Sequence, residues 1–145
     1  MFWSMMSSMG GEGVANWEAV PTIRFGLYNI CNGQNGGLES TLRVMSQVNV
    51  DLGLFQETKG PGGVYTRDSV GYWVTTTEAP IPYCDGVAVF YREAEHVTLE
   101  ALRLHGPNVV SFHMALGGHW WYVMGCYIAP VNASTIDAVV VVISM

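Results

Sequence analysis

The chain has 145 residues, half of them apolar, with 6 Lys and Arg against 12 Asp and Glu and a formal net charge of −6. That is enough for one domain able to bury roughly two-thirds of its unfolded surface, which excludes disorder throughout and any need for disulfide or metal staples. Charged residues make up 12%, far below the ~25% of an average soluble domain, and so few basic residues exclude a basic nucleic-acid patch; contact with phosphate needs a divalent cation to supply positive charge.

Residues 1–21 are rich in Met, Ser and Gly, show no periodicity and end at Pro21, so a disordered leader is expected there. They have neither a positive start nor a small-residue cleavage site, which argues against a secretory signal and for an intracellular setting, nuclear or cytoplasmic. From Thr22 the pattern through Tyr28 alternates as a strand, and Cys31 to Gly37, with its Asn and Gly, is expected to be a loop. Leu38, Leu42, Met45 and Val48 fall on one face of a 3.6-residue period, which predicts a helix, and Val50 to Phe55 is apolar and strand-like. Together these predict a βαβ unit with parallel strands.

Further strands are predicted at Tyr72–Thr77, Gly86–Tyr91, Val97–Arg103, Val109–Leu116 and Trp120–Ile128, separated by Pro, Gly, Asp or His-Gly turns, as an antiparallel meander. Ser134 to Met145 opens with a helix-start pattern, Ser-Thr-Ile-Asp, but its Val run forms helix poorly, and the C-terminus reads as cut. Val139 to Ile143 is the longest apolar run near the C-terminus, far short of the ~20 residues of a membrane span, so no membrane partner is expected.

Asn29 closes the first strand of the βαβ unit and Glu57 closes the second, placing both at the carboxyl edge of a parallel pair, where ligand sites collect. A carboxylate beside an amide oxygen suits Mg²⁺, which takes one or two carboxylates and fills its remaining positions with water and phosphate. The plainer alternative is a loop Asn and a solvated strand-end Glu. His96, His105, His113 and His119 have no metal-ligand spacing, and Cys31, Cys84 and Cys126 form no Cys-x-x-Cys pair, so both sets read as structural. Trp120, Trp121 and Tyr122 alternate faces along a strand and are assigned to packing. Gly33 to Gly37 follows a strand and precedes a helix, yet lacks the G-x-G-x-x-G spacing of a phosphate cradle and reads as a turn.

The segment Leu52-Gly-Leu-Phe-Gln-Glu-Thr-Lys59 resembles the Gln-Glu-Thr-Lys motif of the endonuclease/exonuclease/phosphatase superfamily, and Leu27-Tyr-Asn-Ile30 resembles its first motif. Gly86-Val-Ala-Val-Phe-Tyr-Arg92 is similar to its Gly-Val-Ala strand, and Gly125-Cys-Tyr-Ile-Ala-Pro130 to its Tyr-x-x-Pro segment; within the superfamily the likeness is to retrotransposon-type endonucleases. The resemblance implies an α+β, DNase I-like α/β sandwich: a mixed sheet with a βαβ unit followed by an antiparallel meander, spanning about half of the family fold over residues 22–145. It also implies a Mg²⁺-dependent endonuclease acting on DNA, with Mn²⁺ able to replace Mg²⁺. Glu57 is then the metal ligand, with Asn29 at metal and phosphate and Tyr127 against the scissile phosphate.

Arg67 and Tyr65, which follow the Glu57 loop, and Asn132, just beyond Pro130, are candidate substrate contacts. The family's Asp-x-Asn and Ser-Asp-His motifs occur nowhere in the sequence, so weak turnover or none is expected. A non-catalytic remnant of a retrotransposon reading frame, associating with itself through an uncovered sheet face, or a phosphatase acting on a small phosphoester, are the alternatives.

Overall fold

The computed structural model describes residues 2–6, 22–31, 36–60, 62, 65–67, 70–78, 86–94, 97–128 and 138–144. Strand β2 (Thr22–Asn29) alternates as its sequence requires, turning Ile23 and Phe25 inward. Helix α1 (Gly37–Gln47) follows, burying Leu42 and Met45 and pairing Glu39 with Arg43 one turn on. It stops at Asn49, whose φ of 58° places it in the left-handed region; Asn49 N–H bonds the Ser46 carbonyl and Val50 N–H the Met45 carbonyl. That is a Schellman stop, sealed by packing of Val50 with Met45 in the same apolar cluster.

Strand β3 (Leu52–Gln56) then runs parallel to β2, in the register Phe25 to Leu52 and Asn29 to Gln56. Every residue of β3 is buried. Gly53 is required at its centre, because a Cβ there would collide with the Gly26 carbonyl oxygen and the Phe90 ring. Strands β1 (Phe2–Met6), β4 (Tyr65–Arg67), β5 (Trp73–Thr76) and β6 (Val87–Tyr91) complete the first sheet in the order β1-β2-β3-β6-β5-β4. Its outer edge is β1, antiparallel to β2. Those five residues were expected in the disordered leader and instead form a strand; residues 7–21 lie outside the described residues.

The second sheet is a meander, β10-β9-β8-β7, built from β7 (Val97–Leu104), β8 (Val109–Leu116), β9 (His119–Tyr127) and β10 (Ala138–Ser144). Gly117 and Gly118, at φ 57° and 82°, close the β8–β9 hairpin, a two-residue turn that needs positive φ at both positions. The Val run of β10 takes the extended form that β-branched residues favour, so the helix start at Ser134 does not lead into a helix; residues 129–137 lie outside the described residues.

Between the sheets lies one core cluster, with Ile23, Phe25, Leu52, Leu54, Val87 and Val89 on one side and Val110, Phe112, Met114, Leu116, Val123 and Tyr127 on the other. A second cluster packs α1 on the opposite face of the first sheet, centred on Phe55 stacked on Phe90 at 4.2 Å and Tyr72 edge-on to Phe90.

This architecture corrects the expected α+β, DNase I-like α/β sandwich. The described residues are mostly β, arranged as two sheets with a single short helix. Among them only residues 37–47 combine a 3.6-residue apolar period with good helix formers; the other segments alternate with period two or are rich in β-branched residues. The expected meander also divides: β5 and β6 join the sheet of β2 and β3, whereas β7, β8 and β9 leave it to form the second layer.

Candidate functional site

Because β2 and β3 are parallel and in register at Asn29 and Gln56, the next residue after β3, Glu57, emerges beside Asn29. Asn29 Nδ2 donates to Glu57 Oε1 at 3.0 Å, and its Oδ1 accepts the Cys31 N–H at 2.9 Å. These two bonds together fix which way the amide points. Tyr127, at the end of β9 in the other sheet, donates its hydroxyl to the same Oε1 at 2.7 Å. Lys59 Nζ lies 3.3 Å from Oε2. One carboxylate therefore gathers an amide, a phenol and an ammonium from three separate parts of the chain.

Burial is the largest influence on the Glu57 carboxyl and raises its pKa. Hydrogen bonds from Asn29, Tyr127 and Lys59, with the Lys59 charge, outweigh it and leave the pKa below the ordinary carboxylate value. The carboxylate is thus held ionised while largely shielded from solvent, with its side chain 17% exposed.

The backbone here is strained. Cys31, Glu57 and Lys59 have φ of 56°, 56° and 52°, three of the five non-glycine residues at positive φ among the described residues. Non-glycine residues occupy this region at a cost of order 1–3 kcal/mol each and cluster at functional sites. What holds them is a set of bonds across the sheets. Thr58 N–H bonds the Gly86 carbonyl at 3.2 Å, Gly86 N–H bonds Asn108 Oδ1 at 3.1 Å, and the Asn108 carbonyl accepts Tyr127 N–H at 2.9 Å. Gly86, at φ 107°, leaves no room for a side chain, since a Cβ would strike Thr58 Oγ1. Thr77 Oγ1 accepts Val87 N–H and donates to the Pro107 carbonyl, tying the β7–β8 turn to the same edge.

Of the expected site residues, Asn29, Glu57 and Tyr127 come together. Arg67 does not. It lies on β4, three strands from β3, in the row Arg67–Trp73–Tyr91–Leu52, at the end of β3 remote from Glu57. Strand spacing alone puts it about 14 Å to the side, and its guanidinium sits over the Trp73 ring at 5.7 Å. Tyr65 is on the same edge strand, in the row of Leu54. Asn132, His96 and Cys84 lie outside the described residues, as do residues 32–35 of the glycine loop. Lys59 and Asn108 were not singled out from sequence. Lys59 stood in the quoted motif two residues from Glu57; Asn108 left no signal, because its role depends on how the two sheets meet.

Among the described residues no three His, Cys, Asp or Glu side chains converge, so an all-protein metal cage is absent there. Glu57 nevertheless fits Mg²⁺ in the one-carboxylate manner: an ionised hard-oxygen donor whose Oε2, among the described residues, faces a lysine at ion-pair distance. Asn29, with both amide ends engaged, orients this carboxylate rather than offering a vacant oxygen. Among the described residues no helix is long and apolar enough to cross a membrane. The chain matches no protein-family model, no curated protein and no solved structure.

Proposed function

We propose that this chain is a slow, Mg²⁺-dependent phosphodiester hydrolase acting on DNA, with Glu57 as the residue that holds the ion. The observation that supports it most is the convergence on one ionised carboxylate of Asn29, Lys59 and Tyr127, inside segments that resemble motifs of the endonuclease/exonuclease/phosphatase superfamily. Bound there, Mg²⁺, or Mn²⁺ in its place, would supply the positive charge toward phosphate that an acidic chain lacks and would polarise a phosphoryl oxygen. Asn29 and Tyr127 keep the carboxylate ionised and aimed. Lys59 sets its ammonium against Oε2 and balances its charge. Turnover is slow because neither Asp-x-Asn nor Ser-Asp-His is present to activate water or to stabilise the phosphoryl charge.

The test is nicking of supercoiled plasmid by the full chain with Mg²⁺ or Mn²⁺, beside Glu57→Gln and an EDTA control. Slow nicking that disappears with either change is the expected result. Nicking that is absent, or equal in wild type and variant, overturns the proposal.

A second reading, self-association without catalysis, draws support from the second sheet. Trp120 and Ile143 on its strands are 38% and 53% exposed, and the helix among the described elements covers the other sheet. Light scattering distinguishes the two: a concentration-dependent dimer that Trp120→Lys disperses favours association, and a monomer at all concentrations removes it.

A further inference from the structure

The Glu57 site draws on both sheets, and pairing within each sheet leaves open how one stands against the other. Two features settle that here. Gly125 lies two residues before Tyr127 on β9, and a Cβ there would come within 2.3 Å of Leu54 Cδ1 on β3. Without that side chain β9 rests directly on β3, close to the end of the strand that carries Glu57. The second feature is Asn108, in the turn between β7 and β8.

Asn108 holds two partners at once. Its Oδ1 accepts the Gly86 N–H at 3.1 Å, and the Gly86 carbonyl accepts the N–H of Thr58, the residue after Glu57, at 3.2 Å. Its main-chain carbonyl accepts the Tyr127 N–H at 2.9 Å, and the Tyr127 hydroxyl donates to Glu57 Oε1 at 2.7 Å. With the Glu57–Thr58 peptide, these bonds close a ring through Asn108, Gly86, Thr58, Glu57 and Tyr127. The ring crosses between the sheets twice, once through the Asn108 side chain and once through the Tyr127 hydroxyl.

Closure makes each crossing depend on the other. The Gly86 arm has little freedom, because Gly86 packs against Thr58 so closely that a Cβ would strike its Oγ1. Asparagine suits the join: its amide oxygen is a neutral acceptor on a short side chain. Aspartate would bring a second negative charge into the ring of an ionised carboxylate, and alanine would take from the buried Gly86 N–H its acceptor.

We propose that Asn108 is a positioning residue of the Glu57 site: by tying the Gly86–Thr58 arm to the Tyr127 backbone, it keeps the Tyr127 hydroxyl on Glu57 Oε1 and so fixes the carboxylate's orientation. Its consequence for metal binding rests on the reading of Glu57 as the residue that holds Mg²⁺; its consequence for the Tyr127–Glu57 bond does not.

Urea unfolding of the full chain as a double-mutant cycle tests the bond. Tyr127→Phe lowers the midpoint in the wild type, and in the Asn108→Ala background it does so by no more than about half as much, since the hydroxyl has already lost its place. Tyr72→Phe is the control. It removes a bond to the Val50 carbonyl on the helix-covered face of the first sheet, and in its background Tyr127→Phe keeps its full shift. Mn²⁺ titration followed by electron paramagnetic resonance reads the effect on the ion: about tenfold weaker binding in Asn108→Ala and unchanged binding in Tyr72→Phe. A full Tyr127→Phe shift in the Asn108→Ala background overturns the proposal, as does an equal reduction in the Tyr72→Phe background. So does Mn²⁺ binding that Glu57→Gln removes and Asn108→Ala leaves intact. A wild type that binds no Mn²⁺, or binds it equally after Glu57→Gln, overturns instead the metal reading of Glu57, and the unfolding cycle still decides on Asn108. Should Asn108→Ala fail to fold, Asn108→Ser, whose hydroxyl falls short of Gly86, carries the same cycle.

Discussion

Strand β3 carries a carboxylate at each end, Asp51 just before it and Glu57 just after, and each faces a cation. At Asp51 the acceptors are consumed by the fold. Oδ1 takes Arg92 Nε at 3.0 Å and Nη2 at 2.8 Å, Oδ2 takes the Arg24 N–H at 2.8 Å, and the Asp51 carbonyl takes the Arg92 N–H. Arg24 in turn donates to the Val48 carbonyl at the end of α1. This end joins β2, β3, the helix terminus and the residue after β6. At Glu57 the donors are side chains, the backbone is left-handed at two of three residues, and among the described residues Oε2 meets a single ammonium. Two acid–base pairs on one strand thus differ in what their oxygens are committed to. A carboxylate held by a backbone N–H and a guanidinium is a brace, and one held by side chains at a strained strand end has an oxygen to give.

The largest effect should come from the brace. Asp51→Ala leaves a part-buried guanidinium and the Arg24 N–H without their acceptor, a loss of about 2 kcal/mol. Urea unfolding should show a lower midpoint with unchanged m-value. Mn²⁺ binding to the folded variant should equal wild type, and a loss of binding as large as that of Glu57→Gln would erase the distinction between the two ends. Tyr127→Phe acts at the other end and costs less, about 1.5 kcal/mol, the low end for one hydrogen bond to a charged group. Here metal-dependent nicking should fall more than stability does, since the change disorders the carboxylate while leaving the apolar ring in the core.

What could be read in advance follows the range of the physics. The β2-α1-β3 unit was legible because its signals are local: period two, then 3.6, then an apolar run. The meeting of Asn29 and Glu57 followed directly from parallel pairing. The division into two sheets was hidden, since a period-two strand looks the same whichever sheet it joins, and on that point the family resemblance led to the wrong architecture. Strand β1 was hidden because Phe2 and Trp3, its two strand-favouring residues, stand at the head of a Met-, Ser- and Gly-rich stretch with no period, and its pairing is with the distant β2 edge. Arg67 was misplaced because ten residues of chain after Glu57 fix neither the strand nor the row on which it ends. Lys59 sat in plain view in the motif, but nothing local shows that its ammonium turns back onto Glu57.

A gentler effect separates the ends by pH. The Glu57 carboxyl is held below its ordinary value, so the unfolded chain binds its proton at a higher pH than the folded one, and stability rises with pH across that interval. Its contribution is complete above the unfolded value of about 4.3 and is lost as pH falls through the lower folded value. Urea midpoints of wild type and Glu57→Gln, followed from about pH 6 to about pH 3, should therefore converge as the solution becomes acidic. Parallel curves would mean that Asn29, Tyr127 and Lys59 do not stabilise the ionised form.

The smallest effect is expected at Arg67, and it sharpens the contrast because its sequence position makes it a candidate substrate contact. Its guanidinium lies over Trp73, whose indole N–H reaches Glu93 at 3.3 Å, on the edge strand farthest from β2. An exposed cation–π contact contributes roughly 0.5 kcal/mol, so Arg67→Gln should lower the urea midpoint only slightly. A phosphate-binding arginine would behave otherwise: its loss would weaken DNA binding and flatten the salt dependence by about one counterion. Filter-binding of DNA across a salt series separates these outcomes. An unchanged slope leaves the chemistry to the Glu57 end alone, whereas a reduced slope would place the substrate across the face of the first sheet, some three strands from the carboxylate proposed to act on it.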